Sequence, residues 1–150
     1  MDIINLDDKF AQFNERWRPK IVAQLNGQEV KLVKVQGVFP WHCHEDADEM
    51  FLVWRGSMRV EFRDHAAELD QGEFVVVPRG VEHRTAAEQE AEVLIFERAD
   101  VLNTGNVSDP VFTAPLVSGS RFLRRLEHPL SLIRQLLGTS VRPGHRTEAP

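Results

Sequence analysis

The sequence predicts an all-β fold, a double-stranded β-helix or jelly roll, with a short N-terminal helix and a C-terminal arm. Three observations predict it. Apolar runs of strand length recur along the first hundred residues, and tight-turn signals separate them. Asn26-Gly27 joins two such runs, which is a strong short hairpin signal. Two glycine-bracketed segments, Gly37 to Gly56 and Gly72 to His83, carry three histidines and a glutamate between short β-rich stretches.

The elements follow in order. Phe10, Phe13 and Trp17 recur at helical spacing over 7–17, with Leu6 one turn before, and Pro19 lies just past the end. Asn5 or Asp7 can cap this amphipathic helix, which is expected to lie on the barrel. Residues 21–25 and 28–35 form the two arms of the Asn-Gly hairpin. Further strands are read at 38–44, 49–55, 57–63, 73–77, 82–87 and 91–97, with turns at Gly56-Ser57 and Asp64-His65. From about Thr104 breakers accumulate: Ser108 to Pro110, Ala114-Pro115 and Ser118 to Ser120. Leu130, Ile133, Leu136 and Leu137 suggest one short helix stopped by Gly138, and the last dozen residues are polar. The chain thus divides into a barrel unit over 1–103, with a motif-bearing core at 28–98, and an arm over 104–150. The arm is expected to pack on the barrel or a second subunit, or to cover the barrel mouth.

Composition excludes several classes. One hundred and fifty residues suit one domain with a real core. A net charge of −5, with arginines scattered among carboxylates, gives no footprint for nucleic acid. No apolar run is long enough to span a bilayer. A single cysteine cannot close an internal disulfide, and the acidic start from Met1 to Asp8 lacks a signal pattern, so a cytoplasmic location is expected.

The chemistry sits in the two glycine-bracketed segments. His42 and His44 are two apart, so on a strand both imidazoles share one face. Glu49 follows after an acidic turn, and His83 follows Pro78-Arg79-Gly80. Three imidazoles and a carboxylate make a mixed nitrogen and oxygen donor set suited to a divalent first-row metal. Isolated histidines such as His65, His128 and His145 are read as surface residues. Cys43 is expected to turn away from its neighbours by strand alternation, and Glu45, Asp46 and Asp48 to be solvated turn residues.

These segments resemble the two motifs of the cupin superfamily. His42, His44, Glu49 and Gly56 fit the first, although Gly37 stands one residue closer to His42 than is usual. Gly72, Pro78, Gly80 and His83 fit the second, although Ala87 replaces its final asparagine. Fifteen residues separate Gly56 from Gly72, an interval of the right size. The resemblance covers about residues 28 to 98 and implies a jelly-roll barrel. It also implies one divalent transition metal, Fe, Mn, Ni or Zn, held by His42, His44, Glu49 and His83.

Function is bounded by what the chain lacks. It has no tyrosine. A His-base, Tyr-acid epimerase mechanism therefore lacks its acid, and a Cys–Tyr crosslinked thiol dioxygenase centre is excluded. Arg55, Arg59, Arg63, Arg79 and Arg84 offer little for a phosphosugar, because alternation turns several of them outward. Two classes remain: a small metalloenzyme of dioxygenase, decarboxylase or isomerase type, and a non-catalytic barrel that binds or senses a small molecule. Phe51 and Val53 should face inward beside Glu49. Met58, Val60, Phe62 and the strand ending at Phe96 should add to an apolar wall. Phe39, Trp41 and Cys43 should face outward, and two outward aromatics together suggest a homodimer, with cover by the N-terminal helix or the C-terminal arm as the alternatives.

Overall fold

The computed structural model describes residues 3–114. The predicted helix around Leu130 to Leu137 and the polar end of the chain lie outside the described residues. Among the described residues, seven strands and one helix are laid down in order: α1 (Leu6–Phe10), β1 (Lys20–Leu25), β2 (Gln28–Val38), β3 (Glu49–Arg55), β4 (Ser57–Phe62), β5 (Ala66–Asp70), β6 (Phe74–Val77) and β7 (His83–Arg98).

The hairpin forms where Asn-Gly predicts it. Asn26 and Gly27 take φ of 52° and 74°, the left-handed pair that a two-residue turn needs, and Leu25 faces Gln28 across it. β7 organises everything else. Its residues 86–98 pair with β2, 83–86 with β4, and 92–97 with β3. The strand order β1-β2-β7-β3-β6 is completed by β4 and β5 off β7, all pairs are antiparallel, and the sheet is not closed. Register shifts between Val35 and Gly37 and between Val53 and Arg55 bend the sheet over itself.

Strand alternation then fills the interior. Val33 and Val35 from β2, Phe51 and Val53 from β3, Met58 and Val60 from β4, and Val93 and Ile95 from β7 form one buried cluster. The opposite face of β1, β2, β3 and β7 is covered by the N-terminal segment, where Phe10 and Phe13 pack with Val22 and Leu32.

Four expectations need correction. The helix stops at Phe10, not near residue 17. Asn5 caps it by accepting from the Asp8 amide, but beyond it the chain extends beside β2, where Trp17 N–H donates to Lys34. Trp17 takes a φ of 57°, and its indole donates to the Gln36 carbonyl, so a tertiary partner outweighs helical spacing. The strand read at 38–44 ends at Val38. Pro40 has no amide to give a ladder, and only an isolated His42–His83 bridge remains. The strands read at 82–87 and 91–97 are one, β7, because the exposed Glu88, Gln89 and Glu90 form a bulge within it opposite Gln36 of β2. β5 was not expected, since Ala66 to Asp70 is poor in β-formers, but pairing with β4 makes it a strand.

Candidate metal centre

The backbone places the four predicted residues before their side chains matter. Residues 39–44 are irregular, yet several of their main-chain groups are paired. Phe39 N–H donates to Thr85, His42 and His83 exchange both main-chain bonds, and Gly80 N–H donates to the His44 carbonyl. Glu49 opens β3 and His83 opens β7. The φ of 74° at Gly80 turns the chain in front of His83.

His42, His44, Glu49 and His83 meet at one point. One donor atom from each lies within 4.8 Å of the others, and all four residues are buried. His44 Nε2 is 3.0 Å and His83 Nε2 3.4 Å from Glu49 Oε2. These are ion-pair distances without hydrogen-bond geometry: both nitrogens and the oxygen have no hydrogen-bond partner among the described residues. Leaving such groups buried costs about 1–3 kcal/mol each. Nδ1 of His42 lies 2.9 Å from the Pro40 carbonyl and Nδ1 of His83 lies 3.0 Å from that of Val81. A proton donated there leaves each Nε2 lone pair free for the centre. The donor set and its orphaned atoms fit a divalent cation.

Electrostatics point the same way. Burial, reinforced by His83, pushes the His42 imidazole down to about 4, so it is neutral at pH 7. Burial alone would raise the Glu49 carboxyl. The His44 and His83 rings beside it outweigh that and hold it below the usual carboxylate range. Cys43 is half-buried and outside the donor group, and Glu45, Asp46 and Asp48 are exposed.

A cavity opens beside the cluster, and the centre of a water-sized sphere can occupy about 30 Å³ of it. By the usual measure that is room for about two waters or a few heavy atoms. Val33, Val35, Phe51, Met58, Val93 and Ile95 form its apolar wall, while His42, Glu49, Thr85 and Asn103 are its polar groups. Of the expected wall, Phe51 and Met58 face the cavity, and Val53 and Val60 lie in the core. Phe62 instead stacks on His65, 4.5 Å between ring centres, and the strand expected to end at Phe96 does contribute, through Val93 and Ile95 of β7.

Phe39 is a further correction. It points into the mouth and packs on Trp17 at 5.0 Å and Phe112 at 5.1 Å. Trp41 does turn outward, between the guanidiniums of Arg63 at 4.0 Å and Arg84 at 4.8 Å. The five arginines considered for phosphate pair with carboxylates, and none lines the cavity.

Two features escaped the sequence. Trp17 and Asn103 line the cavity, although they lie outside both motifs and no local pattern brings them there. A buried charge group also stands behind the centre. Lys31 Nζ lies 2.9 Å from Glu97 and 3.2 Å from Glu29, and Glu97 faces Glu49 across the β3–β7 ladder. Burial first, then the Glu49 charge, raises the Glu97 carboxyl to about 7 against the pull of Lys31. The signal was present in strand parity: Glu29, Lys31 and Glu97 share the inward face with Val33 and Ile95.

Comparison with known proteins places this geometry. The family described as Cupin domain matches residues 28–97. A cupin-2 domain containing protein from Shewanella frigidimarina NCIMB 400 is 45% identical. That match covers 64% of this chain and 94% of that one, with a TM-score of 0.63. Protein NMB1881 from Neisseria meningitidis is 33% identical over 65% of this chain and 99% of its own, with a TM-score of 0.60. Uncharacterized protein YdbB of Bacillus subtilis is 34% identical over 65 residues, which span 43% of this chain and 58% of that relative.

Proposed function

The chain belongs to the cupin superfamily, and from that premise we propose a metal-binding cupin that acts on a small, mostly apolar organic molecule. His42, His44, Glu49 and His83 hold one divalent transition ion, and the turnover is of dioxygenase, decarboxylase or isomerase type. One observation carries this reading: four buried donor atoms within 4.8 Å of one another, at the edge of an apolar cavity. Imidazole nitrogen with one carboxylate suits Fe, Mn, Ni or Zn better than Mg or Ca. Such an ion supplies Lewis acidity and, if redox-active, one-electron chemistry.

The protein groups do the rest. His42 and His83 are aimed by their bonds to the Pro40 and Val81 carbonyls. Glu49 stays a carboxylate, so a divalent ion keeps a net positive charge and favours an oxygen donor on the ligand. The apolar wall excludes water and accepts the ligand's hydrocarbon part. Among the described residues, the titratable side chains on the cavity are His42 and Glu49, both assigned to the ion.

Metal analysis of the purified chain, reconstituted with each candidate ion, tests this. The parent should hold about one ion per chain, and His83→Ala should lower its metal affinity at least about tenfold. Equal stoichiometry and affinity in the two would refute the assignment. Oxygen uptake and product analysis with small acids and diketones then separate an enzyme from a binding or sensing barrel, since only the enzyme turns any of them over.

A further inference from the structure

The chain beyond β7 crosses the barrel mouth and touches the candidate centre. Asn106 clamps a single residue, Cys43, from both sides. Its side-chain oxygen accepts from the Cys43 amide at 3.0 Å, and its own amide donates to the Cys43 carbonyl at 3.0 Å. Cys43 is the link between His42 and His44, so this clamp sets the backbone that carries both imidazoles.

Gly105 makes the approach possible. Its φ is +51°, and a Cβ placed on it would lie 2.1 Å from the Cys43 carbonyl oxygen and 3.2 Å from His44 Nδ1. No other residue fits there without moving the histidine or the strap. His44 needs that contact more than its partners do. The Nδ1 atoms of His42 and His83 each meet a main-chain carbonyl, whereas His44 Nδ1 is buried with no partner among the described residues. Packing against Gly105 takes the place of that orienting bond.

The strap is itself braced. Arg18 donates to the carbonyls of Val111 at 2.7 Å and Phe112 at 3.3 Å. The Asn103 side chain holds Phe112 and Ala114, and the hydroxyls of Thr104 and Thr113 meet at 2.9 Å. Phe112 packs edge-on against Phe39. Residues 103–114 lie wholly beyond the span matched by the family.

We propose that this strap is a working part of the four-residue centre, with Gly105 and Asn106 as positioning residues that fix His44. The role assigned to His44 rests on the metal reading above, but the strap's grip on the 39–44 loop does not. The cysteine thiol offers a metal-independent readout, because Cys43 sits inside the clamped loop and is half-buried.

The test uses the full-length parent, Asn106→Ala, Asn106→Asp and Gly105→Ala. Two quantities are read: the rate at which an aromatic disulfide labels Cys43 in the metal-free chain, and the affinity and visible spectrum of added Co(II). Asn106→Ala and Gly105→Ala should label several-fold faster. They should also bind Co(II) about tenfold more weakly, with an altered spectrum, while circular dichroism stays that of the parent. Asn106→Asp keeps the accepting oxygen and should behave as the parent. If Gly105→Ala does not fold, Asn106→Ala decides, because its side chain is exposed. Parent-like labelling and Co(II) spectra in Asn106→Ala would overturn the proposal. So would equal impairment of Asn106→Ala and Asn106→Asp. A parent that binds no Co(II) would instead overturn the metal reading, and the labelling rates would still decide whether the strap holds the loop.

Discussion

At the scale of residues, chemistry was legible where spacing encodes it. His42, His44, Glu49 and His83 could be picked from two motifs, and the fold brings those four together. What spacing cannot encode is the partner of each atom. That two imidazoles rest on the Pro40 and Val81 carbonyls, while Nδ1 of the third has no partner among the described residues and lies where a Cβ on Gly105 would meet it, follows from tertiary packing alone. Strand parity put Glu97 on the inward face, but a glutamate near a strand end reads as solvated until the neighbouring strands are known. Its buried state makes a pH prediction for the metal-free chain. The carboxyl titrates near 4.5 when unfolded and at about 7 when folded. Its contribution to stability is therefore fully present below the unfolded value and is lost as pH rises through the folded one. Glu97→Gln removes the titration and keeps an acceptor for Lys31. Relative to this variant, the parent should lose roughly 1–3 kcal/mol as pH rises from about 5 to about 8. His42 titrates in both proteins and cancels in the difference. A stability gap that stays constant across that range, measured by urea unfolding, would show that Glu97 is not held up.

At the scale of elements, turns were more legible than strand limits. Glycine and asparagine positions reported backbone conformations that only they adopt easily, so the hairpin at 26–27 and the β3–β4 turn at Gly56 were placed correctly. Strand limits depended on pairing. β7 runs unbroken through a polar stretch because Glu88 to Glu90 bulge out of its ladder opposite Gln36 of β2, and the 39–44 segment fails as a strand because Pro40 interrupts its ladder. The helix was overcalled because Trp17 matched its period but found a better partner at Gln36. The two turn glycines differ in a way that can be measured. Gly27, at φ +74°, has open space around it, whereas a Cβ on Gly56, at φ +81°, would lie 3.2 Å from Ala91 Cα and the Glu90 carbonyl. Gly27→Ala should cost roughly 1–2 kcal/mol for its left-handed backbone alone. Gly56→Ala should cost clearly more, because β7 must also move. Chemical denaturation giving equal losses would contradict the close packing assigned to that turn.

At the scale of the whole molecule, the jelly roll was legible because many short strands with tight turns admit few architectures. The coverage of its mouth was legible only as one alternative for the arm, because Trp17 and the strap come from outside the motif span. That coverage also changes the case for a homodimer. Phe39 is sheltered by Trp17 and Phe112, and Trp41 by two arginines, so neither aromatic demands a partner. The exposed apolar residues lie elsewhere. Phe74, 60% exposed, and Val76, 50% exposed, project from β6, whose only ladder partner among the described residues is β3. An open edge of this kind is a template for pairing with another chain. We retain the homodimer as a proposal and move its expected contact to β6. Light scattering at micromolar concentration should give the mass of two chains, and Val76→Lys should shift it toward one. A single-chain mass that is unchanged on tenfold concentration would rule the dimer out.

The central claim is that three histidines and a glutamate hold one ion. The most direct measurement is anomalous diffraction from crystals grown with Co(II) or Mn(II), collected on both sides of the metal edge. One strong peak per chain is expected, within coordination distance of Nε2 of His42, His44 and His83 and of a Glu49 carboxylate oxygen. No peak at that point, or a peak held by other residues, would contradict the account.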